Sequence, residues 1–124
     1  MEKARILIVE DEHTIARCMK LILCQEGFEV SDVVATGEEA VDIISKIRPD
    51  LVLMDIKLRG NIDGIAACEQ IQESVDIPVV FVSAYSDTET IARARRKKPY
   101  GYITKPFKTE RLIRTVKIAL SEQA

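Results

Sequence analysis

The stretch Leu51-Val52-Leu53-Met54-Asp55 places a carboxylate directly behind four apolar residues. A short apolar run of this kind is typical of a buried strand in a parallel sheet. Three other apolar runs also end at polar residues, which are Glu10 with Asp11, Ser83, and Lys105. The carboxyl ends of parallel strands form one edge, where ligands bind. We therefore expect these polar side chains to converge on a single site.

Strand and helix patterns alternate five times along the chain. The predicted strands are residues 5–10, 28–34, 50–54, 78–83 and 100–104. The predicted helices are residues 13–26, 37–47, a segment capped by Asp63 that runs to about Glu73, 87–97 and 108–121. This alternation predicts one α/β domain over residues 1–124, a flavodoxin-like (βα)5 doubly wound fold with a parallel five-stranded sheet of order 2-1-3-4-5.

The predicted site suits phosphoryl transfer. Neighbouring carboxylates repel one another unless a cation lies among them, and an all-oxygen site with few carboxylates suits Mg²⁺. A carboxylate can accept a phosphoryl group that a metal and hydrogen-bond donors hold in place. We expect Asp55 to be the acceptor and Glu10 and Asp11 to hold the metal. Ser83 and Lys105 are expected to bind the phosphoryl oxygens.

Each of these signals also has a purely structural interpretation. Acids at a strand end are often only the first residues of a helix, where they favour the helix dipole. Glu10 and Asp11 alone fit that role equally well. Asp55 and Lys105 could form a structural ion pair, since a buried carboxylate without a partner is costly.

Five segments of the chain, in this order and spacing, resemble the response regulator receiver domain (CheY-like) of two-component phosphorelay systems. They are IVEDE at 8–12, DLVLMDIKL at 50–58, DGI at 63–65, IPVVFVSAYSD at 77–87 and YGYITKPF at 100–107. The resemblance implies that a histidine kinase or phosphotransfer protein phosphorylates Asp55. It also implies a Mg²⁺ site formed by Glu10, Asp11, Asp55 and the backbone carbonyl of Lys57.

The same resemblance implies a conformational switch. Ser83 would move toward the phosphoryl group, and the ring of Tyr102 would change its packing. Lys105-Pro106 would be a cis peptide, which is accessible because X-Pro bonds adopt cis at modest cost. The chain would then be a signalling protein and not an enzyme.

Composition restricts the class of protein. The chain has 124 residues, 47% of them hydrophobic and 31% charged, which is typical of one globular domain and leaves no room for an output domain of ordinary size. Apolar runs are too short for a membrane span and no signal peptide is recognisable, so we expect a cytoplasmic protein. Cys18, Cys24 and Cys68 predict neither a disulfide framework nor a zinc site. We expect Cys18 and Cys68 to be core thiols and His13 to be solvated.

Charge is distributed unevenly along the chain. Residues 91–124 contain ten Lys and Arg and two Asp and Glu, whereas residues 1–90 contain eight and eighteen. We expect a basic face on the last two helices to bind a downstream protein partner, through Arg93, Arg96, Lys108, Arg111 and Arg114. Nucleic acid is not the expected partner, because no recognisable nucleic-acid-binding motif accompanies the charge. We expect a monomer or a weak homodimer.

Other functions remain open from the residues. An aspartyl-phosphate phosphohydrolase commonly has a second Asp two residues after the nucleophile, and this chain has Lys57 there. A flavin or dinucleotide carrier needs a Gly-rich or hydroxyl-rich phosphate loop after the first strand, where this chain has Glu10 and Asp11. A nucleic-acid-binding regulator that uses the basic face is a further alternative. The sequence leaves open whether the chain acts alone or as part of a larger protein.

Overall fold

The computed structural model describes residues 3–84 and 87–122. The strands are β1 (Arg5–Val9), β2 (Glu29–Val34), β3 (Leu51–Met54), β4 (Val79–Ser83) and β5 (Gly101–Thr104). The helices are α1 (His13–Gln25), α2 (Gly37–Ile47), α3 (Gly64–Ser74), α4 (Thr88–Arg95) and α5 (Thr109–Ser121). Each element lies within about two residues of its predicted range, which is the usual uncertainty of helix and strand ends.

The strands form one parallel sheet in the order β2-β1-β3-β4-β5, which confirms the predicted topology. The register aligns Val9 of β1 with Met54 of β3, and Ser83 of β4 with Thr104 of β5. Strands β1, β3, β4 and β5 therefore end at nearly the same level. The residues that follow these strands therefore meet at the carboxyl ends of the sheet, as predicted from the sequence.

Successive side chains along each strand point to opposite faces of the sheet, so the apolar residues form two hydrophobic layers, one on each face. Ile6, Ile8, Leu51 and Leu53 pack in the layer covered by α1 and α5, which supply buried residues including Met19, Leu23, Leu112 and Val116. Leu7, Val9, Val52 and Met54 pack in the layer covered by α2, α3 and α4, which supply residues including Ala40, Ile44, Ile71 and Ala94. Strands β1, β3 and β4 are thus buried on both faces, and the buried polar residues Glu10, Asp55 and Ser83 lie at their carboxyl ends.

The expectation for Cys18 was wrong, because this thiol is exposed. The buried residues of α1 are Ala16, Met19 and Leu23. At about 100° per residue, Cys18 lies roughly 130° away from the centre of that buried side. Cys68 is buried and His13 is exposed, as expected.

Side chains at three helix starts explain where those helices begin. Thr36 accepts from the backbone N–H of Glu39, and Asp63 and Asp87 accept from those of Ala66 and Thr90. Such caps satisfy N–H groups that lack a partner within the helix. Among residues 3–84 and 87–122, no helix has the length and apolar character needed to cross a bilayer.

Candidate functional site

Glu10 and Asp55 follow two neighbouring strands and lie side by side. The Asp55 backbone N–H donates to the Val9 carbonyl at 2.9 Å, which continues the β1–β3 ladder by one residue. Glu10 is 3% exposed and Asp55 is 6% exposed. Two carboxylates are therefore held together at the buried end of the sheet, where each needs a counter-charge.

Lys105 supplies that counter-charge from the end of β5. Its Nζ lies 2.5 Å from Glu10 Oε1 and 3.0 Å from Asp55 Oδ2. The Lys105 backbone N–H donates to the Ser83 carbonyl at 2.9 Å, which fixes the start of its side chain against β4. The Lys105-Pro106 peptide is cis, as the resemblance implied. One ammonium thus contacts both carboxylates.

Burial and charge shift the pKa values of this cluster. Burial raises the pKa of Glu10 and the charge of Asp55 raises it further, while the hydrogen bond from Lys105 offsets part of the shift. Burial alone would lower the pKa of Lys105, but its contacts with Glu10 and Asp55 outweigh burial and raise it. Lys105 therefore stays charged at neutral pH and favours the ionised form of Glu10.

Asp11 completes a set of oxygen ligands. One atom each from Glu10, Asp11 and Asp55 lies within 4.8 Å of the other two. One Asp11 oxygen, Oδ2, accepts from the Arg59 backbone N–H at 3.1 Å. Carboxylate oxygens are the ligands that Mg²⁺ prefers, and such sites commonly leave several positions to water and substrate. The donor set therefore fits Mg²⁺.

Ser83 and Tyr102 lie on neighbouring strands beside the acid cluster. Ser83 is fully buried, and Tyr102 is opposite Phe81 in the β4–β5 register, with ring centroids 6.4 Å apart. Burial raises the pKa of the Tyr102 hydroxyl, and a hydrogen bond with the Ser83 side chain opposes that shift. The Ser83 side chain therefore lies near enough to Tyr102 to influence its hydroxyl.

A cavity of about 460 Å³ opens above these residues. Its lining includes Asp11, Asp55, Ser83, Ala84 and Lys105, with the exposed residues Lys57 and Arg59 at its rim. A larger cavity of about 560 Å³ lies at the opposite edge of the sheet, between residues 72–79 and 97–100. That second cavity contains none of the predicted site residues, so the smaller one is the candidate functional site.

The family described as the response regulator receiver domain matches residues 6–117. This chain belongs to that family. The candidate site at the carboxyl ends of the strands is therefore the site of a receiver domain of the two-component type.

Relatives with different names share this receiver domain. The transcriptional regulatory protein PdtaR of Mycobacterium tuberculosis is 36% identical over 117 residues, which are 94% of this chain and 57% of PdtaR. The DNA-binding response regulator MtrA of the same organism is 33% identical over 118 residues, 95% of this chain and 51% of MtrA. The chain thus spans about half the length of these curated relatives.

A solved structure of another receiver domain has the same fold. The signal receiver domain of a modulated diguanylate cyclase from Desulfovibrio desulfuricans has a TM-score of 0.92 and 34% identity. The match covers 98% of this chain and 97% of that one. The receiver fold is shared by a transcriptional regulatory protein, a DNA-binding response regulator and a diguanylate cyclase.

The structure adds a receiver-site residue that the sequence reasoning did not explain. A Cβ on Gly64 would lie 1.8 Å from the backbone oxygen of Asp55. Only glycine allows α3 to begin this close to Asp55. The DGI motif at 63–65 contained the signal, but the contact could not be inferred from spacing alone.

The predicted basic face of the receiver divides into two parts. Arg93 and Arg96 line a cleft with Ile65 and Glu69 of α3, and Arg93 pairs with Asp63 at 3.1 Å. The other members, Lys108, Arg111 and Arg114, belong to or adjoin α5, where Arg111 Nη2 donates to the Tyr102 carbonyl at 3.4 Å.

Proposed function

We propose that this chain is a phosphorylation-dependent signalling switch. Asp55 accepts a phosphoryl group from a histidine kinase or a phosphotransfer protein in a Mg²⁺-dependent reaction, and the change reaches a partner-binding face. The observation that carries this proposal is a buried Asp55 that contacts Lys105 and has Glu10 and Asp11 within metal-binding reach. An ion pair needed only for stability would not require the additional acids or the open cavity.

The transfer step balances as a substitution at phosphorus. A carboxylate oxygen of Asp55 forms a P–O bond while the bond from phosphorus to the donor breaks, and the electron pair leaves with the donor, a histidine nitrogen in the case of a kinase. The Lys105 ammonium and the Ser83 hydroxyl, which both line the cavity, would donate to phosphoryl oxygens. Glu10, Asp11, Asp55 and the Lys57 carbonyl would hold Mg²⁺, which would neutralise charge on the phosphoryl group.

The switch would begin at Ser83. Its side chain interacts with the Tyr102 hydroxyl, and donation to a phosphoryl oxygen would compete with that interaction. Tyr102 would then change its packing beside Phe81. A shift from 1:99 to 99:1 between two conformations requires about 5.5 kcal/mol of differential interaction, and several charge-assisted contacts to one phosphoryl group are of that order.

The downstream partner is proposed to be a protein with an acidic surface. The basic residues concerned are Arg93 and Arg96, near α3, and Lys108, Arg111 and Arg114, near α5. Opposite charge would accelerate association at low ionic strength. We propose that the chain itself is not an enzyme and is a monomer or a weak homodimer.

Phosphorylation can be tested with acetyl phosphate and Mg²⁺. Intact-mass spectrometry should show one phosphate-sized adduct, absent without Mg²⁺ and absent in Asp55→Asn. Asp50→Asn is the matched control, because Asp50 is exposed and lies at the other end of β3. An adduct of undiminished yield in Asp55→Asn would refute the assignment of the acceptor.

The metal ligands require a separate test. The double substitution Glu10→Gln and Asp11→Asn should lower Mg²⁺ affinity at least about tenfold, because both ionised ligands are lost. It should leave the fold no less stable, since carboxylate repulsion decreases. Calorimetric titration measures the affinity, and Mg²⁺ binding equal to that of the wild-type protein would contradict the ligand assignment.

A further inference from the structure

We propose that Glu38 is a positioning residue for the metal and phosphoacceptor site. It would act through the β3–α3 loop, residues 57–62, and it touches none of the reacting groups itself. This inference rests on the proposed function, and it names a residue outside the predicted site that holds the site in shape.

The Glu38 carboxylate accepts one hydrogen bond from the loop and lies close to its backbone at a second point. Glu38 Oε2 accepts from the Asn61 backbone N–H at 2.7 Å. Glu38 Oε1 is buried, with no hydrogen-bond partner within the described part of the chain, and a Cβ on Gly60 would lie 2.6 Å from it. Gly60 also has φ +100°, which favours glycine. The loop backbone is thus folded closely over this one side chain.

The same loop contacts the site two residues earlier. Arg59 donates its backbone N–H to Asp11 Oδ2 at 3.1 Å, and it forms a parallel bridge with Thr36, the residue that caps α2. This contact fixes the rotation of a carboxylate in the candidate metal cluster. Lys57, whose carbonyl is the proposed fourth ligand, is two residues before Arg59. Groups that orient metal ligands in this way affect metal affinity.

The alternative is that Glu38 only stabilises the first turn of α2 through the helix dipole. That turn already has a capping acid, because Glu39 donates its N–H to Thr36 and accepts from the Thr36 hydroxyl. Glu38 is directed away from these caps and onto the loop. The two neighbouring acids therefore have different roles, which a substitution can separate.

The test compares Glu38→Ala with Asp42→Ala, which removes the same charge from an exposed position of α2. In metal-free protein, the amide protons of Arg59 and Asn61 should exchange about tenfold faster in Glu38→Ala, since a hydrogen bond to a charged group is lost. The dissociation constant for Mg²⁺ should rise about threefold to tenfold, less than for loss of a direct ligand. Asp42→Ala should change neither quantity.

Two further variants make the result decisive. Glu38→Gln keeps a side-chain oxygen for Asn61 and should restore Mg²⁺ affinity to within about twofold of wild type. Gly60→Ala should also weaken Mg²⁺ binding, because its Cβ meets the Glu38 carboxylate and its positive φ strains the loop. A smaller effect of Gly60→Ala in the Glu38→Ala background than in the wild type would assign the difference to the contact with Glu38. Exchange and Mg²⁺ affinity in Glu38→Ala and Gly60→Ala equal to those in Asp42→Ala would overturn the inference. The failure of wild-type protein to take up phosphate would instead refute the proposed function.

Discussion

Helices α4 and α5 flank the same strand, β5, but are held in different ways. Helix α5 buries Leu112, Thr115, Val116 and Ala119, whereas α4 buries only Ala94. Polar contacts link α4 and the turn after it to α3. Arg93 pairs with Asp63, the residue that caps α3, at 3.1 Å, and Lys97, two residues past the end of α4, pairs with Glu69. Helix α5 is anchored by its packing, and α4 largely by charge.

These two kinds of attachment differ in free energy. A fully buried Leu side chain contributes about 1.5 to 3 kcal/mol, whereas an exposed ion pair contributes about 0 to 1 kcal/mol. Local opening of α4 should therefore cost less than opening of α5. Because Tyr102 lies on β5 between the two helices, we expect the proposed change at the site to be transmitted more easily to α4.

The largest expected difference is in the loss of stability caused by truncating one apolar side chain in each helix. Leu112→Ala in α5 should lower the free energy of unfolding by about 2 to 5 kcal/mol, since it opens a cavity in a fully buried layer. Ile91→Ala in α4 removes a similar side chain from a half-buried position and should cost about 1 kcal/mol. Denaturant titration measures both, and equal losses would show that α4 is packed as firmly as α5.

The second prediction concerns the pH dependence of stability, which Cys68 causes in the hydrophobic layer beneath α4. Burial raises the pKa of Cys68 from 9.0 to about 11. The unfolded thiol therefore loses its proton at lower pH than the folded one, so stability falls as pH rises from 9 toward 11. Near pH 10.5 the wild type should have lost about 2 kcal/mol more than Cys68→Ala, both relative to pH 8. Unfolding titrations at the two pH values check this, and parallel losses in both proteins would mean that Cys68 ionises as freely in the fold as outside it.

The sequence predicted the sheet order and the place of Asp55 because both follow from local patterns. Apolar runs mark strands, caps and glycines mark helix ends, and parallel connections have one hand. The face of α1 was less certain, since Cys18 shares helical spacing with Ile15 and Ile22 while the buried side centres on Ala16, Met19 and Leu23. Apolar residues lie on both sides of α1, so periodicity alone did not show which side is buried.

Long-range polar contacts could not be predicted from the sequence. The bond from Asn61 to Glu38 spans 23 residues, and the bond from Arg59 to Asp11 spans 48. Both depend on how a loop with Gly60 at positive φ folds against α2. No periodicity or motif encodes such a pairing, because it forms only after the strands have brought the two loops to one edge. The pairing of Arg93 with Asp63 is of the same kind.

The smallest expected effect tests whether charge holds α4. Removing both ion pairs in Arg93→Ala/Lys97→Ala should lower the free energy of unfolding by less than about 1 kcal/mol. Cys68 reports on local opening, because it lies in the same buried cluster as Ala94 and within the influence of Lys97 and Glu69. Its reaction with a thiol reagent should become about threefold to fivefold faster, the change that about 1 kcal/mol gives to an opening equilibrium.

Controls for this measurement are present in the chain. Cys18 and Cys24 are exposed and should react first in every variant, which provides an internal standard for the slow reaction of Cys68. Lys117→Ala removes an exposed pair with Glu26, at 3.8 Å, from α5 and should leave the slow phase unchanged. A slow phase equal to wild type in the double variant would mean that the packing of Ala94 and Ile91 holds α4. A loss of stability as large as that of Leu112→Ala would mean that the ion pairs contribute as much to the free energy of unfolding as a buried core side chain. The proposed difference in attachment between α4 and α5 would then be wrong.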